Sequence, residues 1–331
     1  MTQPDDESRA ANLRAMLLKQ RYQLFGKSLA VKKCSYTHTT LRAGRTCYKD
    51  VYGIESHRCI QCTPVRPDLC THQCIFCWRT QPRDLGMEPS SIDFSDEELH
   101  QLFDPPEEIL KGAFWAWKRI ISGYKPIVTE EIYQEALNPR HIALSLAGEP
   151  MLYPWLPELF QLIRKKQISS FIVSNATLPE RITELLETQS FPTQLYLTLA
   201  ANNEEMYKEI CNPLLTDSWQ RIKRSLALLK EFQSRTTIRL TMVDGYNMTA
   251  PEKYANLIRI AEPSFVEVKG FVHVGAAQKR LKRENMPRHS KILDFARQLS
   301  ELLEYPLIAD RRDARFALLS SEKHETKIKS I

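Results

Sequence analysis

Apolar strand-like runs alternate with helical patterns along most of this 331-residue chain, and this alternation restricts the fold more than any other feature. Strands are predicted at Cys59–Val65, Ile142–Ala147, Ser170–Asn175, Gln194–Leu199, Thr237–Val243 and Phe265–Phe271. Helices are predicted between the later strands, at Leu156–Lys166, Pro179–Thr188, Thr216–Phe232 and Glu252–Ile260. This order is typical of parallel strands joined by crossover helices. Six such strands predict an α/β fold that forms a partial barrel rather than a closed eight-stranded one.

Parallel α/β folds place their chemistry at the carboxyl ends of the strands. A loop rich in cysteine follows the first predicted strand, and Gly148-Glu149 and Asn175 fall at or just past the ends of the next two. The sequence therefore predicts one common site.

The cysteine loop, Cys70-Thr-His-Gln-Cys74-Ile-Phe-Cys77, has the spacing C-x3-C-x2-C. Three thiolates this close can hold three irons of a [4Fe–4S] cluster and leave the fourth iron open to a small molecule. Zinc sites more often pair a C-x2-4-C with a second pair far along the chain. The spacing is thus compatible with an iron–sulfur cluster on Cys70, Cys74 and Cys77, with zinc as the alternative.

Four more cysteines precede this loop, at Cys34, Cys47, Cys59 and Cys62. Their spacing matches no common zinc pattern, although Cys59-x2-Cys62 alone resembles half a zinc knuckle. A second iron–sulfur cluster is the preferred interpretation, and structural zinc and buried thiols are the alternatives. Cys211 stands alone and is expected to be a small packed residue.

Other side chains near these cysteines are candidates for binding or catalysis. Lys49, two residues after a cysteine, is either a nucleophilic amine that forms a Schiff base or a lysine of a basic surface. Glu149, after Gly148, can bind the ammonium of an amino-acid-like cofactor. Asn175 can bond ribose hydroxyls or a carboxylate, or serve a turn. Phe76 can pack on an adenine or shield the cluster.

Composition and charge restrict the class of protein and its partners. Hydrophobic residues make up 43% and charged residues 26%, and no apolar run reaches the roughly 20 residues of a membrane span. The polar N-terminal sequence does not resemble a signal peptide, so a cytoplasmic protein without a membrane partner is expected.

Residues 27–66 and 279–291 are rich in Lys and Arg, whereas 84–108 is acidic. Either the basic stretches form a solvated face, or they bind nucleic acid while the acidic segment points away from it. The predicted phosphate contacts are Lys27, Lys32, Lys33, Lys279, Arg280, Lys282 and Arg283.

The cysteine loop resembles that of the radical S-adenosylmethionine (SAM) superfamily, and longer stretches resemble the tRNA 4-demethylwyosine synthase family. The matching stretches span roughly residues 30 to 290 and include His57-Arg58-Cys59-Ile-Gln, Cys70 to Arg79, Leu144-Ser-Leu-Ala-Gly148-Glu149-Pro150, Arg239 to Met248, Val268-Lys-Gly-Phe-Val-His273-Val-Gly and Glu284-Asn-Met-Pro-Arg-His289. The resemblance implies a partial (β/α)6 radical SAM barrel with S-adenosyl-L-methionine and two [4Fe–4S] clusters. It assigns Cys70, Cys74 and Cys77 to the SAM cluster, Cys34, Cys47 and Cys59 to an auxiliary cluster, and Lys49 to a Schiff base.

The resemblance also implies a reaction, in which C2 and C3 of pyruvate are added to N1-methylguanosine at position 37 of tRNA-Phe. Cleavage of SAM starts the reaction, and the resulting radical takes hydrogen from the methyl group of the nucleoside. The carbon radical then attacks pyruvate, the C1 carboxyl leaves, and loss of water closes the ring of 4-demethylwyosine. The cofactors carry the radical chemistry, and the protein positions them.

Some features depart from the family pattern. Cys62 stands where an apolar residue is usual, which leaves open whether it or Cys59 is the third auxiliary ligand. Ala200-Ala201 occupies a strand end where members of the family more often have a polar residue. No flavodoxin-like domain precedes the barrel, so a separate electron donor, a ferredoxin or flavodoxin, is expected.

Three regions are predicted: residues 1–56 as an extension with auxiliary-cluster ligands, 57–290 as the barrel, and 291–331 as a C-terminal helix and strand. Two other functions remain open. One is a different radical SAM enzyme that modifies RNA, such as a methylthiotransferase or methyltransferase. The other is a zinc-bound nucleic-acid module without enzymatic activity.

Overall fold

The structure, a computed structural model, describes residues 4–90, 92 and 94–328. Its strands are β1 (Gln23–Phe25), β2 (Leu29–Val31), β3 (Cys59–Thr63), β4 (His141–Leu144), β5 (Ser169–Ser174), β6 (Gln194–Thr198), β7 (Arg235–Met242), β8 (Phe265–Gly270), β9 (Leu307–Arg311) and β10 (Phe316–Ser320). Its α-helices are α1 (Pro4–Lys19), α2 (Ser35–Thr40), α3 (Asp96–Leu102), α4 (Pro106–Ser122), α5 (Glu130–Leu137), α6 (Leu156–Lys165), α7 (Pro179–Glu187), α8 (Glu204–Cys211), α9 (Ser218–Leu229), α10 (Pro251–Ala261) and α11 (His289–Leu303). Within the described ranges, no helix has the length and apolar character that crossing a membrane requires.

One mixed sheet of ten strands carries the fold, in the order β1-β2-β3-β4-β5-β6-β7-β8-β10-β9. Strands β3 to β8 pair in parallel, each with the next along the chain. The hairpin β1–β2 adds antiparallel strands at one edge, and β10 and β9 add them at the other. The predicted α/β fold with six parallel strands is therefore confirmed. The sequence predicted one strand after residue 290, where the structure has two, and it did not reveal β1 and β2.

Helix α4 shows how local sequence sets an element of the outer layer. It begins at Pro106 and carries acidic residues in its first turn, and both features favour a helix N-terminus. Its two tryptophans have different environments. Trp117 is fully buried and donates from Nε1 to the Ala136 carbonyl oxygen at 2.7 Å, whereas Trp115 is 43% exposed, so Trp117 belongs to the core and Trp115 to the surface.

A short 3-10 helix from the N-terminal region, Tyr48–Tyr52, fills the inside of the barrel, and we call it the aromatic plug. Its two tyrosines are buried against inward-facing aromatic side chains of the sheet, including Phe171 and Phe316. The Tyr52 hydroxyl donates to Glu267 Oε1 at 3.0 Å. This segment showed little periodicity in the sequence because its position depends on tertiary packing. Filling the interior in this way leaves the carboxyl ends of the strands for the site.

Candidate active site at the carboxyl ends of the strands

A cavity of about 1130 Å³ opens at the carboxyl ends of the parallel strands. All of the sequence-predicted site residues line it: Cys34, Cys47, Lys49, Cys59, Cys70, Cys74, Phe76, Cys77, Gly148, Glu149 and Asn175. The structure therefore brings the predicted site residues together around one cavity. The two cysteine groups reach the cavity from different segments, one from the loop after β3 and the other from the N-terminal region and β3 itself.

Backbone hydrogen bonds hold the cysteine loop in place. Gln73 N donates to the Cys211 carbonyl oxygen at 3.1 Å, and Ile75 N donates to Ile210 O at 2.9 Å, so the end of α8 forms one support. Gln81 Nε2 donates to Cys74 O at 3.0 Å. A fixed backbone with three sulfurs at the cavity wall suits a cluster with three protein ligands.

Arg280 fastens the same loop from the far end of the chain. Its Nε donates to Ile75 O at 3.2 Å, and its Nη2 donates to Cys77 O. Its Nη1 pairs with Asp84, and the two side chains are only 9% and 4% exposed. The sequence-based assignment of Arg280 to a tRNA phosphate is therefore wrong, because this guanidinium is already committed inside the protein.

Gly148 and Glu149 pack directly against the loop. Gly148 has φ of +66°, and an added Cβ would lie 2.7 Å from Leu69 O, so backbone conformation and space both require glycine. Glu149 is buried, and its carboxylate accepts hydrogen bonds from Met151 N at 3.0 Å and Asn175 N at 2.8 Å. Burial raises the pKa of Glu149 to about 7. A buried carboxyl group with this pKa is suited to a cationic ligand, which would favour its ionised form.

Asn175 and Phe76 also reach the cavity, but Asn175 has internal partners. Its Nδ2 donates to Thr71 Oγ1 at 2.6 Å and lies 3.8 Å from Cys70 Sγ. Its Oδ1 accepts from Thr177 N at 3.1 Å. The side chain therefore orients the cysteine loop in the structure, a role that the sequence did not indicate. Phe76 packs against core residues beside the cavity.

The second cysteine group is placed by helix starts and by strand β3. Cys34 caps α2, and its Sγ accepts from Thr37 N at 3.3 Å. Cys47 caps the aromatic plug, and its Sγ accepts from Lys49 N at 3.4 Å. Backbone N–H groups at such positions stabilise a thiolate. Burial nevertheless raises the pKa of Cys47 to about 12, so binding of a metal would be needed to deprotonate this thiol at neutral pH.

Cys59 and Cys62 lie on opposite faces of β3. Cys59 lines the cavity, whereas Cys62 is buried in the apolar layer between sheet and helices. Side chains alternate along a strand, so residues three apart point in opposite directions. The sequence left these two cysteines as alternatives, and the geometry favours Cys59 as the cavity ligand.

Lys49 lies on an aromatic surface inside the cavity. Its Nζ is 4.3 Å from the ring centroid of Tyr196 and 5.2 Å from that of Phe171. Burial, with Arg239 nearby, lowers the pKa of Lys49. The interpretation as a lysine of an exposed basic surface is therefore wrong.

Cys211 has a neighbourhood that the sequence did not reveal. Its sulfur, Cys74 Sγ and a ring nitrogen of His72 all lie within 4.8 Å of one another. Cys211 is buried, as predicted, but it also lines the cavity beside the cysteine loop. No signal in the sequence linked it to that loop, because the two are distant along the chain.

Comparison with known proteins agrees with this geometry. Residues 66–258 match the profile of the radical SAM superfamily, and residues 260–321 match a profile described as wyosine base formation. The chain is 42% identical to the S-adenosyl-L-methionine-dependent tRNA 4-demethylwyosine synthase of Pyrococcus abyssi, over 89% of this chain and 83% of that protein. It is 41% identical to the synthase of the same name from Methanocaldococcus jannaschii, over 94% of this chain and 96% of the relative.

A solved structure of TYW1 with a lysine-pyruvate adduct bound superposes with a TM-score of 0.81 at 38% identity, covering 96% of this chain and 97% of that one. These similarities extend over the barrel, the cysteine loop and the C-terminal strands together. The chain belongs to the tRNA 4-demethylwyosine synthase family of the radical SAM superfamily.

Proposed function

We propose that this enzyme condenses N1-methylguanosine at position 37 of tRNA-Phe with pyruvate to form 4-demethylwyosine. The observation that carries the proposal is that one cavity brings together two separate groups of three cysteines and a partly buried lysine. One group suits the cleavage of SAM, and the other lies beside an amine that can hold a ketone. Family membership supports the tRNA substrate and the use of SAM.

We propose that Cys70, Cys74 and Cys77 hold the SAM cluster, which supplies a 5′-deoxyadenosyl radical when SAM is bound. Glu149 accepts the ammonium of SAM, and the cation stabilises its ionised form. Asn175 positions the cysteine loop through Thr71 and offers its amide at the cavity wall.

We propose a second [4Fe–4S] cluster on Cys34, Cys47 and Cys59, which gives two clusters per chain. Each sulfur lines the cavity, and two of them accept backbone N–H groups that stabilise their thiolates. Cys62 stays in the core. An auxiliary cluster on these residues would lie in the same cavity as Lys49.

Lys49 is the residue that we assign to pyruvate. Its amine attacks the carbonyl carbon C2, and loss of water gives an imine, so no external redox partner is needed for this step. The rings of Tyr196 and Phe171 lie 4.3 Å and 5.2 Å from the amine, so aromatic surface replaces part of its hydration. In the related TYW1 structure a lysine-pyruvate adduct is bound, which supports the assignment for this chain.

Two partners complete the proposal. Exposed lysines of the basic stretches, among them Lys27 and Lys282, bind tRNA phosphates. Cleavage of SAM consumes one electron, and a separate ferredoxin or flavodoxin supplies it.

Anaerobic purification with iron and sulfide counting tests the proposal. Two [4Fe–4S] clusters give about eight irons per chain. Cys59→Ala should lower this to about four and abolish the tricyclic nucleoside, measured by mass spectrometry of digested tRNA, while SAM cleavage continues. Cys62→Ala is the matched control and should keep about eight irons, because its sulfur faces the apolar core. About four irons in the unsubstituted protein, or loss of iron in Cys62→Ala alone, contradicts the proposed ligand set.

A further inference from the structure

Lys269 is a cation in the same cavity that the steps above leave without a role. It extends from β8, and its Nζ donates to Ala314 O at 3.0 Å and lies 4.3 Å from the ring centroid of Tyr48. Across the described part of the chain it forms no salt bridge with a carboxylate. An ammonium has three donors, so two of them remain for a ligand.

Glu267, two residues earlier on the same strand, does not neutralise Lys269. It is fully buried, and its Oε2 accepts from Arg239 Nε at 2.7 Å while its Oε1 accepts from Tyr52 OH at 3.0 Å. This carboxylate therefore balances Arg239. Lys269 lies two residues after Glu267 on β8, on the same face of the strand and nearer to its carboxyl end. Its positive charge is therefore not balanced by Glu267.

The position of Lys269 relates it to Lys49 through the aromatic plug. Lys269 stacks on Tyr48, the residue directly before Lys49, and both amines line one cavity. Both amines also share the neighbours Arg239, Glu267 and Cys47. In a 2-oxo acid the carboxylate is bonded directly to the carbonyl carbon, so an amine and a cation in one cavity match its two functional groups.

We propose that Lys269 binds the carboxylate of the 2-oxo acid whose carbonyl carbon reacts with Lys49. This inference rests on the imine proposed above and adds the group that selects the substrate. A charge-assisted hydrogen bond to the carboxylate fixes rotation about the bond between C1 and C2. It also favours charged 2-oxo acids over their esters. Burial lowers the pKa of Lys269 to about 8, which keeps the ammonium form predominant at neutral pH.

Reductive trapping of the adduct between Lys49 and the 2-oxo acid tests whether Lys269 selects substrates with a free carboxylate. Full-length holoenzyme is incubated without tRNA with cyanoborohydride and either pyruvate or methyl pyruvate, and the adduct on the Lys49 peptide is measured by mass spectrometry. The unsubstituted protein should require less pyruvate than ester for half-maximal trapping. Lys269→Gln should raise the pyruvate requirement on the order of ten- to a hundredfold, as expected for loss of one charged hydrogen bond, and leave the ester unchanged. Lys269→Arg should retain the preference, and Lys253→Gln, at an exposed position of α10, should behave like the unsubstituted protein.

A second measurement does not depend on the imine. Lactate has the same carboxylate but no ketone, and its binding is followed by equilibrium dialysis with radiolabel. It should bind the unsubstituted protein and Lys49→Met but bind Lys269→Gln at least several-fold more weakly. Lack of any adduct together with Lys269-dependent lactate binding would refute the imine and keep the carboxylate subsite.

Two results overturn the inference. One is an equal change for pyruvate and methyl pyruvate in Lys269→Gln, or no change in either. The other is a loss of iron in Lys269→Gln with unchanged lactate binding, which would show that this lysine balances the charge of the auxiliary cysteines instead.

Discussion

At the scale of single residues, Gly148 gives the sharpest prediction because the chain contains a matched control. Gly148 and Gly86 both have positive φ, +66° and +69°, but a Cβ on Gly148 would clash with Leu69 O, whereas nothing lies within 4 Å of one on Gly86. Alanine at either position costs about 1 kcal/mol for the left-handed backbone. Gly148→Ala should cost about 1–3 kcal/mol more through overpacking and should weaken SAM binding. Urea unfolding and equilibrium dialysis measure both effects, and equal losses for the two variants would contradict the steric argument.

Individual residues also show which parts of the candidate site the sequence could and could not predict. The three cysteines of the loop were identified from local spacing, and Glu149 and Asn175 from strand ends. The faces of Cys59 and Cys62 become distinct once β3 is known to be a strand. Arg280, Lys269 and Cys211 have surroundings that depend on contacts distant along the chain, which neither spacing nor periodicity encodes.

At the scale of elements, the Arg280–Asp84 pair ties the segment after β8 to the cysteine loop. Arg280→Met should cost about 3–5 kcal/mol, because it leaves Asp84 as a buried unpaired charge. It should also increase hydrogen exchange of the amides at 73–78. Lys282→Met is the control, since Lys282 and Glu284 are 81% and 75% exposed and such pairs contribute about 0–1 kcal/mol. If both variants have the same unfolding midpoint, Arg280 does not fasten the loop.

His141 links the start of β4 to the N-terminal region and makes stability depend on pH. Its Nε2 accepts from Glu55 N at 3.3 Å and its Nδ1 bonds Ser169 Oγ at 2.6 Å, an arrangement that requires the neutral ring. Burial, with Arg140 and Arg58 nearby, lowers the pKa of His141 from 6.5 to about 4. The unfolded chain therefore takes up a proton first as the pH falls.

The stabilisation from neutral His141 is present above pH 6.5 and is lost as the pH falls to 4, by about 3 kcal/mol in total. His141→Gln should be less stable at pH 7.5 but should lose about 3 kcal/mol less between pH 6.5 and 4. Denaturant unfolding at several pH values measures this difference. His100→Gln, at an exposed site, should keep the pH dependence of the unsubstituted protein.

At the scale of the whole molecule, the basic stretches are expected to bind tRNA. Neutralising Lys27, Lys32, Lys33, Lys279, Lys282 and Arg283 should weaken tRNA binding and flatten its salt dependence. Each lost phosphate contact should reduce the log–log slope by about 0.7–0.9. Filter binding at several salt concentrations measures the slope, and an unchanged slope would assign these charges to a solvated face. Arg280 is left out because it is buried against Asp84.

The architecture itself was largely predictable. The six parallel strands read as apolar runs because both of their faces are buried. Strands β1 and β2 have three residues each, and β9 alternates between partly buried and exposed positions, so none of them forms a distinct run. Their existence follows from the barrel edges that they cover. The sequence did not predict the aromatic plug either, because tertiary packing determines its position.

The aromatic plug makes assembly of the site depend on residues that are synthesised much later than the plug itself. Tyr48 packs on Phe316, Ile328 N donates to Tyr52 O at 3.0 Å, and Arg311 pairs with Asp50 at a separation of 261 residues. At ribosomal rates of about 5–20 residues per second, that interval lasts on the order of ten to fifty seconds. During this interval Cys34, Cys47 and Lys49 lack the C-terminal residues that complete their surroundings. The proposed auxiliary cluster would therefore be delivered to these thiols after translation, and reducing conditions would protect them until then.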